Sequence, residues 1–384
     1  PSEQSGSYFD TYRAELSMRI LADANIARLT DFFNESTFGR TVELHTMPGR
    51  EIDAAVLADI APDVLLVRSV TKVNRELLAD NTSVKFVGSA TIGIDHVDVD
   101  YLSRRGIEFV SAAGCSKHSV AQYVIAAIAT LRPDYVFQPI TLGIIGVGNI
   151  GNTLAQYAIR FGWQVLGYDP LKPPSVVNNS KLNTVLTESN VISFHVPLTY
   201  PHQSSFPTQH DYLMTSERWQ RMSDTAIVIN TSRGGVLGRD NIVAAPNVTV
   251  LDVFEHEPNL DAELLRCASI VTPHIAGYTL EGKLRGTQMV YQALCKRLKI
   301  KPTVDFHEFL PEQPPLFQAL HNPFTEHERQ QFLTRLPLLY DIRADDQRLR
   351  AVANADGAIE GKDFDALRKN YPLRREWQAY VMDI

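Results

Sequence analysis

Residues 141–169 read TLGIIGVGNIGNTLAQYAIRFGWQVLGYD, and this stretch decides the fold. A strand-like apolar run leads into Gly146, Gly148 and Gly151, which match the pattern GxGxxG, and a helix-like stretch follows them. A second strand-like run ends at Asp169. In this order, the glycines allow a tight turn and let the backbone approach a pyrophosphate, which sits on the N-terminus of the helix.

Asp169 stands where a carboxylate would accept hydrogen bonds from the adenosine ribose hydroxyls and repel a 2′-phosphate. The stretch therefore predicts NAD, rather than NADP, as the cofactor. The alternative is an unrelated strand–turn–helix, because glycine-rich turns on their own are common. The complete order of strand, turn, helix and acidic strand end favours the cofactor site. We predict no metal site.

Outward from this stretch, short apolar runs alternate with helical ones, which is typical of α/β domains with parallel sheets. A first series of predicted strands comprises residues 19–23, 63–69, 85–90 and 107–112. A second series comprises residues 141–146, 164–169, 191–196, 226–231, 248–253 and 270–272. Predicted helices cover residues 118–131 and 280–298. The proline-rich stretch 301–315 is interpreted as a linker to a small α+β unit.

Length and composition limit the class of protein. A chain of 384 residues is too long for one core, and 44% apolar with 21% charged residues is ordinary for a globular protein. The net charge of −7 and dispersed basic residues predict no nucleic-acid or membrane partner. Three cysteines without a CxxC pair favour reduced thiols in a cytoplasmic protein. Residues 1–17 lack the apolar core of a signal peptide, and we expect them to be an extension outside the fold.

Polar residues follow three later strands of the second series, at the edge where ligands bind in open α/β sheets. They are Arg233, Glu257 and His274. Oxidation of a 2-hydroxy acid needs a base for the hydroxyl proton, and a histidine can serve in both directions. A carboxylate would orient the ring, and an arginine would grip the substrate carboxylate through its planar fork. We assign these roles to His274, Glu257 and Arg233, and we expect Asp252 near the nicotinamide.

Each of these residues also has an interpretation without a catalytic role. A lone arginine at a strand end is often a surface ion pair, and a lone histidine after proline is often a satisfied loop residue. Taken together behind a dinucleotide motif, the three are more specific than any one alone. The residues thus indicate an NAD-dependent oxidoreductase.

Several segments resemble the D-isomer-specific 2-hydroxyacid dehydrogenase family. They include ILADANI at residues 20–26, VRSVTKVN at 67–74, FVGSATIGIDH at 86–96, AGCS at 113–116 and TPHIAGYTLEGK at 272–283. The C-terminal FDALRKNYPLRREW at residues 364–377 is similar to one subgroup of that family and not to the wider family. The resemblance runs from residue 18 to nearly the end of the chain.

The resemblance implies that Arg233, Glu257 and His274 are the active-site residues, with His274 as the acid–base group. It implies that three side chains contact the substrate, which are Ser69, Thr91 and Tyr278. It also implies NAD contacts for a larger set, which comprises Asn149, Ile150, Asp169, Val196, Thr231, Ser232, Arg233, Asp252 and Gly277.

The resemblance further implies a small phosphorylated 2-hydroxy acid as substrate. Arg68 and Lys72 would balance the phosphate, with solvated surface charge as the alternative. The basic residues of the C-terminal segment are interpreted as interface or solvent charges, with a phosphate role as the alternative; they are Arg368, Lys369, Arg374 and Arg375.

The implied architecture is α/β, with a Rossmann nucleotide-binding domain, a flavodoxin-like substrate domain and a small α+β dimerisation domain. The substrate domain is discontinuous and covers residues 18–117 and 278–300. The NAD-binding domain covers residues 118–277, and the C-terminal domain of a homodimer covers residues 301–384. Residues 1–17 precede the fold as the extension.

Two departures from the family and two rival functions stay open. The interval between Arg233 and Glu257 is several residues shorter than in the family, with the shortening at residues 241–247, and residues 171–182 align poorly with it. One rival is a dehydrogenase for another 2-hydroxy acid, such as 3-phosphoglycerate or glycerate. The other is a non-catalytic, NAD-sensing binding protein.

Overall fold

The computed structural model describes residues 17–172, 176–177, 179–318 and 320–380. Their contacts divide them into a first unit, residues 17–116 with 281–311, and a second unit, residues 117–280 with 312–380. Residues 1–16 of the predicted N-terminal extension lie outside the described residues. Ser17 corrects the predicted end of that extension, because it pairs with Thr41 as the first residue of a strand.

The first unit contains a five-stranded parallel sheet. Its strands are β1 (Ser17–Asp23), β2 (Thr41–Met47), β3 (Val64–Val67), β4 (Phe86–Ser89) and β5 (Glu108–Ser111). Their order is β2-β1-β3-β4-β5, which is the flavodoxin-like order. The helices are Leu29–Phe32, Glu35–Phe38, Ala54–Ile60, Arg75–Leu78, Val99–Arg104 and most of Leu280–Leu298. Asn34, Asp53, Asn74 and Asp98 cap four of them by accepting a backbone N–H.

The second unit contains a six-stranded parallel sheet. Its strands are β6 (Thr141–Ile145), β7 (Gln164–Tyr168), β8 (Val191–Phe194), β9 (Ile227–Asn230), β10 (Val248–Leu251) and β11 (Ile270–Val271). The order is β11-β10-β9-β8-β6-β7, so the direction of winding reverses at β6. The helices of this part are Lys117–Leu131, Asn149–Arg160, Leu182–Glu188, Ser216–Trp219, Arg239–Ala244 and Ala262–Cys267. Ligands bind at such a reversal, beyond the carboxyl ends of the strands.

The short connection at residues 241–247 leaves this sheet complete. A helix covers Arg239–Ala244, and β10 begins at Val248. Val248 pairs with Ile227 and Leu251 pairs with Asn230, so both strands keep full register. The short connection thus keeps the ends of β9 and β10 next to each other, with the polar residues that follow them at one edge of the sheet.

The C-terminal segment adds three helices to the second unit, Glu326–Leu339, Ile342–Arg350 and Gly361–Lys369. Trp377 packs edge-on against Tyr157, with ring centroids 5.7 Å apart, and Phe332 packs against Phe161 at 5.0 Å. The segment thus shares a core with the nucleotide-binding sheet. Its role as a separate dimerisation domain stays a prediction.

The α+β character expected of this segment differs from what is observed. Its described residues form helices, and extended backbone pairs only at single residues, Ile359 with Leu260 and Arg374 with Thr279. Helical periodicity explains the difference, because apolar residues such as Phe332, Leu336 and Leu339 recur every three or four positions. Five short 3₁₀ helices complete the described elements, at Gly49–Glu51, Pro133–Val136, Gly234–Val236, Phe306–Phe309 and Trp377–Tyr380. Within the described ranges, none of the helices has the length and apolar character required to span a membrane.

Candidate active site

The glycine turn after β6 leaves no room for a side chain at Gly146 or Gly151. Gly146 has a φ of 91°, and a Cβ there would lie 2.7 Å from the carbonyl carbon and oxygen of His195. A Cβ on Gly151 would lie 2.2 Å from the Gly146 oxygen. Both positions therefore require glycine, as the sequence pattern predicts.

Gly148 differs, because a Cβ there would meet no atom within 4 Å. It is the N-cap of the helix Asn149–Arg160, and none of the described side chains caps the helix start. The helix thus begins beside the open position at Gly148, directly after β6. An anion such as a pyrophosphate fits there, since a helix N-terminus supplies unpaired N–H groups and a favourable dipole.

Asp169 lies beside the glycine turn. One carboxylate oxygen accepts from the Val147 N–H at 3.1 Å, and the other accepts from Leu171 at 3.1 Å and Lys172 at 2.9 Å. The side chain is thereby held next to the turn that faces the pyrophosphate position. Its ribose contact stays a prediction, and residues 173–175 and 178 of the poorly aligned stretch lie outside the described residues.

His274 and Glu257 form the central pair of the site. Glu257 Oε2 lies 2.7 Å from His274 Nδ1, and Glu257 Oε1 accepts the Phe254 N–H at 2.8 Å. Burial raises the pKa of Glu257, but the charge and hydrogen bond of His274, together with the Phe254 N–H, bring it below its ordinary value. The carboxylate is therefore ionised at neutral pH, and it holds the histidine so that Nε2 is the nitrogen left for a ligand.

The backbone at His274 is strained. Its φ of 55° lies in the left-handed region, which a residue with a Cβ seldom adopts. Such a conformation persists only where the surrounding contacts hold it in place. It turns the chain sharply directly after Pro273 and places the imidazole at the end of β11.

Asp252 holds the loop that follows His274. It is 1% exposed and accepts the N–H groups of Ile275 at 2.8 Å and Ala276 at 2.9 Å. The Thr272 hydroxyl donates to it at 2.6 Å. Burial raises the pKa of Asp252 to about 6, against the opposing effects of His274 and these donors. Its oxygens face the loop, and its predicted contact with NAD stays a prediction.

Arg233 follows β9 on a loop built around Asn230. The Asn230 side chain donates to the Arg233 carbonyl at 2.8 Å and accepts from the Ser232 N–H at 3.0 Å and the Ser232 hydroxyl at 2.8 Å. A Cβ on Gly234 would lie 2.0 Å from the Phe254 carbonyl carbon. This close approach packs the arginine loop against the loop that leads to Glu257. The fold thus brings together two residues that sequence analysis assigned to one site.

His195 was missed by the sequence analysis. It follows β8 and precedes Val196, and its Nε2 lies 2.9 Å from the Ser193 hydroxyl, while its Nδ1 lies 3.4 Å from the Thr231 hydroxyl. Burial lowers the pKa of His195 to about 3, so the ring stays neutral. Its backbone also abuts Gly146. The available signal was a histidine directly after a buried strand, at the same sheet edge as Thr231.

The predicted substrate contacts lie in different units. In the first unit, Ser69 follows β3 and is exposed, and the Thr91 hydroxyl after β4 lies 2.9 Å from that of Ser89. In the second unit, Tyr278 follows Gly277 on the His274 loop, and the Arg368 guanidinium lies 5.7 Å from its ring centroid. Tyr278 thus shares a loop with His274, and the substrate roles of all three stay predictions.

Comparisons with known proteins identify relatives of this chain. The model of the "D-isomer specific 2-hydroxyacid dehydrogenase, NAD binding domain" matches residues 133–276, and a "Domain of unknown function (DUF3410)" matches residues 312–384. An erythronate-4-phosphate dehydrogenase from Psychrobacter arcticus is 50% identical, with 94% of this chain and 100% of that protein covered. One from Acinetobacter baylyi is 44% identical, over 94% and 99%.

A solved structure shares the fold. The NAD-dependent formate dehydrogenase from Staphylococcus aureus, in complex with NAD, is 21% identical with a TM-score of 0.59, over 75% of this chain and 98% of that one. At this identity the likeness concerns the fold alone. The cofactor of the second unit is NAD, since the matched family model describes an NAD-binding domain.

Proposed function

The chain belongs to the erythronate-4-phosphate dehydrogenase family, and from this premise we propose that it oxidises 4-phospho-D-erythronate at C2 with NAD. The product is (R)-3-hydroxy-2-oxo-4-phosphooxybutanoate, on the route to pyridoxal 5′-phosphate. The observation that carries the proposal is the pair of Glu257 Oε2 and His274 Nδ1 at 2.7 Å, on the unit that holds NAD.

His274 acts as the base in this reaction. Among the described residues Nε2 has no hydrogen-bond partner, so it can take the proton of the C2 hydroxyl. Glu257 is ionised and stabilises the imidazolium that forms. NAD would be held by the glycine turn at residues 146–151 and by Asp169, and it would supply the acceptor for the hydride of C2. In the reverse direction, His274 returns the proton to the 2-oxo group.

Arg233 binds the substrate carboxylate. Its planar guanidinium can hold both carboxylate oxygens, which orients C2 and leaves the hydroxyl for His274. The Asn230 bonds to the backbone of the arginine loop support this role, because they hold the loop at the sheet edge. Ser69, Thr91 and Tyr278 supply hydroxyls for the rest of the substrate.

A homodimer in the cytoplasm completes the proposal. The resemblance of the C-terminal segment, residues 364–377, to one subgroup of the family supports this part of the proposal. Light scattering of the purified protein tests the dimer. A monomer at assay concentration would remove this part of the proposal and leave the reaction untouched.

The reaction is tested by the reduction of NAD with three acids in parallel, 4-phospho-D-erythronate, D-erythronate and 3-phosphoglycerate. The 2-oxo product is trapped, or the reverse reaction is run with NADH, so that equilibrium does not hide turnover. Turnover confined to 4-phospho-D-erythronate is expected. Equal turnover of the other acids would overturn the assignment of the substrate, and no turnover of any of the three would favour an NAD-sensing protein.

A further inference from the structure

The loop after His274 is held from two opposite sides. On one side, Asp252 accepts the N–H groups of Ile275 and Ala276. On the other, Arg374 donates to the carbonyl oxygens of the same two residues, at 3.0 Å to Ile275 and at a short distance to Ala276. Arg374 also lies 3.4 Å from the Tyr278 carbonyl. Asp252 thus binds the N–H groups, and Arg374 the carbonyl groups, of the backbone between His274 and Tyr278.

Arg374 belongs to the C-terminal segment, and its surroundings correct the interpretation of this residue as an interface or solvent charge. The guanidinium lies 4.2 Å from the Tyr340 ring centroid and 3.2 Å from the Tyr371 hydroxyl. The hydroxyls of Tyr340 and Tyr371 both donate to Asp345, at 2.9 and 2.7 Å. The positive charge is therefore matched by a buried carboxylate through two phenols.

The phenols stay protonated at neutral pH. Burial raises the pKa of Tyr371 to about 12, and burial also raises the pKa of Tyr340 well above its ordinary value. Because both groups remain donors to Asp345, the network presents one orientation of Arg374 to the loop.

The backbone of Arg374 is tethered to the same region. Its carbonyl accepts the Leu280 N–H at 3.0 Å, and Arg374 forms a single parallel bridge with Thr279. Two residues on, the buried Glu376 accepts from the hydroxyls of Thr279 at 3.4 Å and Ser119 at 3.3 Å. Main chain and side chain of this stretch therefore both bear on residues 275–280.

We propose that Arg374 is a positioning residue for the reaction, which holds residues 275–278 so that the strained backbone at His274 keeps the imidazole directed at the substrate. The proposal rests on the function proposed above and adds a role for the C-terminal segment in catalysis. The planar guanidinium of Arg374 reaches the carbonyls of several loop residues at once, whereas a lysine ammonium at this position would offer only a point charge. A displacement of the base by about 1 Å costs on the order of 100-fold in rate.

Arg350 is a matched control in the same segment. It pairs with Asp346 at 2.9 Å and donates to the carbonyls of Leu265 and Ala268, the latter at 2.9 Å. It thus makes the same kind of bonds from the C-terminal segment, but to the end of the helix Ala262–Cys267. Arg350→Gln should cost stability as Arg374→Gln does, and because Asp346 keeps its bond to the Val271 N–H of β11, at 2.8 Å, the loop after His274 should stay in place.

The first experiment compares kcat, KM, NAD affinity and thermal stability of Arg374→Gln, Arg374→Lys and Arg350→Gln with the wild type. We expect kcat of Arg374→Gln to fall about 30-fold or more, with Arg374→Lys between it and the wild type and NAD affinity within about twofold. Arg350→Gln should keep kcat within about twofold at a similar loss of Tm. Guanidinium added to Arg374→Ala should restore part of kcat. Equal losses of kcat in Arg350→Gln and Arg374→Gln would overturn the proposal.

A second readout does not depend on turnover. Hydrogen exchange of a peptide spanning residues 272–280 should accelerate in Arg374→Gln and stay as in the wild type in Arg350→Gln. Unchanged exchange in Arg374→Gln would overturn the positioning role even if the wild type oxidises 4-phospho-D-erythronate. Accelerated exchange, in a protein whose wild type oxidises none of the three acids, would instead overturn the proposed reaction and keep Arg374 as the residue that holds the loop.

Discussion

Replacement of Glu257 by glutamine changes both the charge and the hydrogen bond that face His274. Glutamine keeps the length of the side chain, and its one carbonyl oxygen can still accept the Phe254 N–H, which lies 2.8 Å from Oε1, but its amide NH2 then faces His274 Nδ1. It removes the negative charge that lies 2.7 Å from His274 Nδ1. The loop should therefore keep its shape, but Nδ1 must accept from the amide, which places the ring proton on Nε2 and also weakens the imidazolium that forms during oxidation.

The size of the effect follows from this one contact. A hydrogen bond to a charged group contributes about 1.5–3 kcal/mol, against about 0.5–1.5 kcal/mol for a neutral one. The side chains of His274 and Glu257 are 33% and 22% exposed, so water screens part of the difference. The charge alone accounts for a loss of about 1–2 kcal/mol in the transition state, so kcat/KM should fall by at least about 5- to 30-fold.

The pH dependence gives the prediction a sign. Burial raises the pKa of Glu257, but the charge and hydrogen bond of His274 lower it below the ordinary value. A lowered carboxyl pKa means that the charge is present at neutral pH and is lost only as the pH falls through the acidic range. The deficit of Glu257→Gln should stay constant through neutral and alkaline pH and should shrink only in acid.

The assay is the initial rate of NAD reduction across pH, with Glu255→Gln as control. Glu255 is two residues away and accepts the Arg239 N–H at 3.0 Å, so its loss should leave kcat/KM within about twofold. A Glu257→Gln enzyme within about twofold of the wild type would refute the role of the carboxylate. So would an equal loss in the control.

Three further predictions concern the cofactor and the fold. Asp169→Ala should lower the affinity for NAD by about 10-fold or more and reduce the discrimination against NADP, as measured by titration with both cofactors. Unchanged selectivity would mean that Asp169 does not contact the ribose. Glu328→Gln should lower the free energy of unfolding by about 1–2 kcal/mol at neutral pH. Burial raises the pKa of Glu328, but hydrogen bonds from His321 and Thr325 lower it to about 2, so the stability is present above the ordinary pKa and is lost as the pH falls towards 2. Urea unfolding at several pH values measures this, and a pH-independent difference between the two proteins would contradict it. Trp377→Ala should lower the free energy of unfolding by about 3–5 kcal/mol, as measured in urea, because the ring is buried against Tyr157 and Phe332. A loss below about 1 kcal/mol would mean that the C-terminal segment does not share that core.

The strands of both sheets could be predicted because most of them are buried on both faces. All ten predicted runs overlap strands, and the helices near residues 118–131 and 280–298 lie within one residue of their predicted bounds. β2 was missed, because it is an edge strand whose residues Thr41–Met47 alternate between exposed and half-buried and include polar side chains. An apolar run is a clear signal only where a strand is covered on both sides.

The pair of Glu257 and His274 could be predicted because both residues follow neighbouring strands of one sheet. Their hydrogen bond of 2.7 Å is what the chemistry of a 2-hydroxy acid dehydrogenase requires. Gly146, Gly151 and Asp169 also lie together as their spacing predicts.

Arg374 could not be placed from sequence. It lies 98 positions from Ala276, whose carbonyl it contacts, and among other basic residues of its segment it carries no distinguishing neighbour. The orientation comes from Tyr340, Tyr371 and Asp345, which the fold brings together from separate parts of the segment. A network of this kind is a property of tertiary packing, and no local pattern reports it.

The most direct test of the account is the rate of NAD reduction with 4-phospho-D-erythronate in the wild type and in His274→Ala, with NAD affinity measured for both. We expect turnover by the wild type, a loss of at least about 100-fold in kcat for His274→Ala, and the same NAD affinity in the two proteins. Turnover by His274→Ala at the wild-type rate would contradict the assignment of His274 as the base of the reaction.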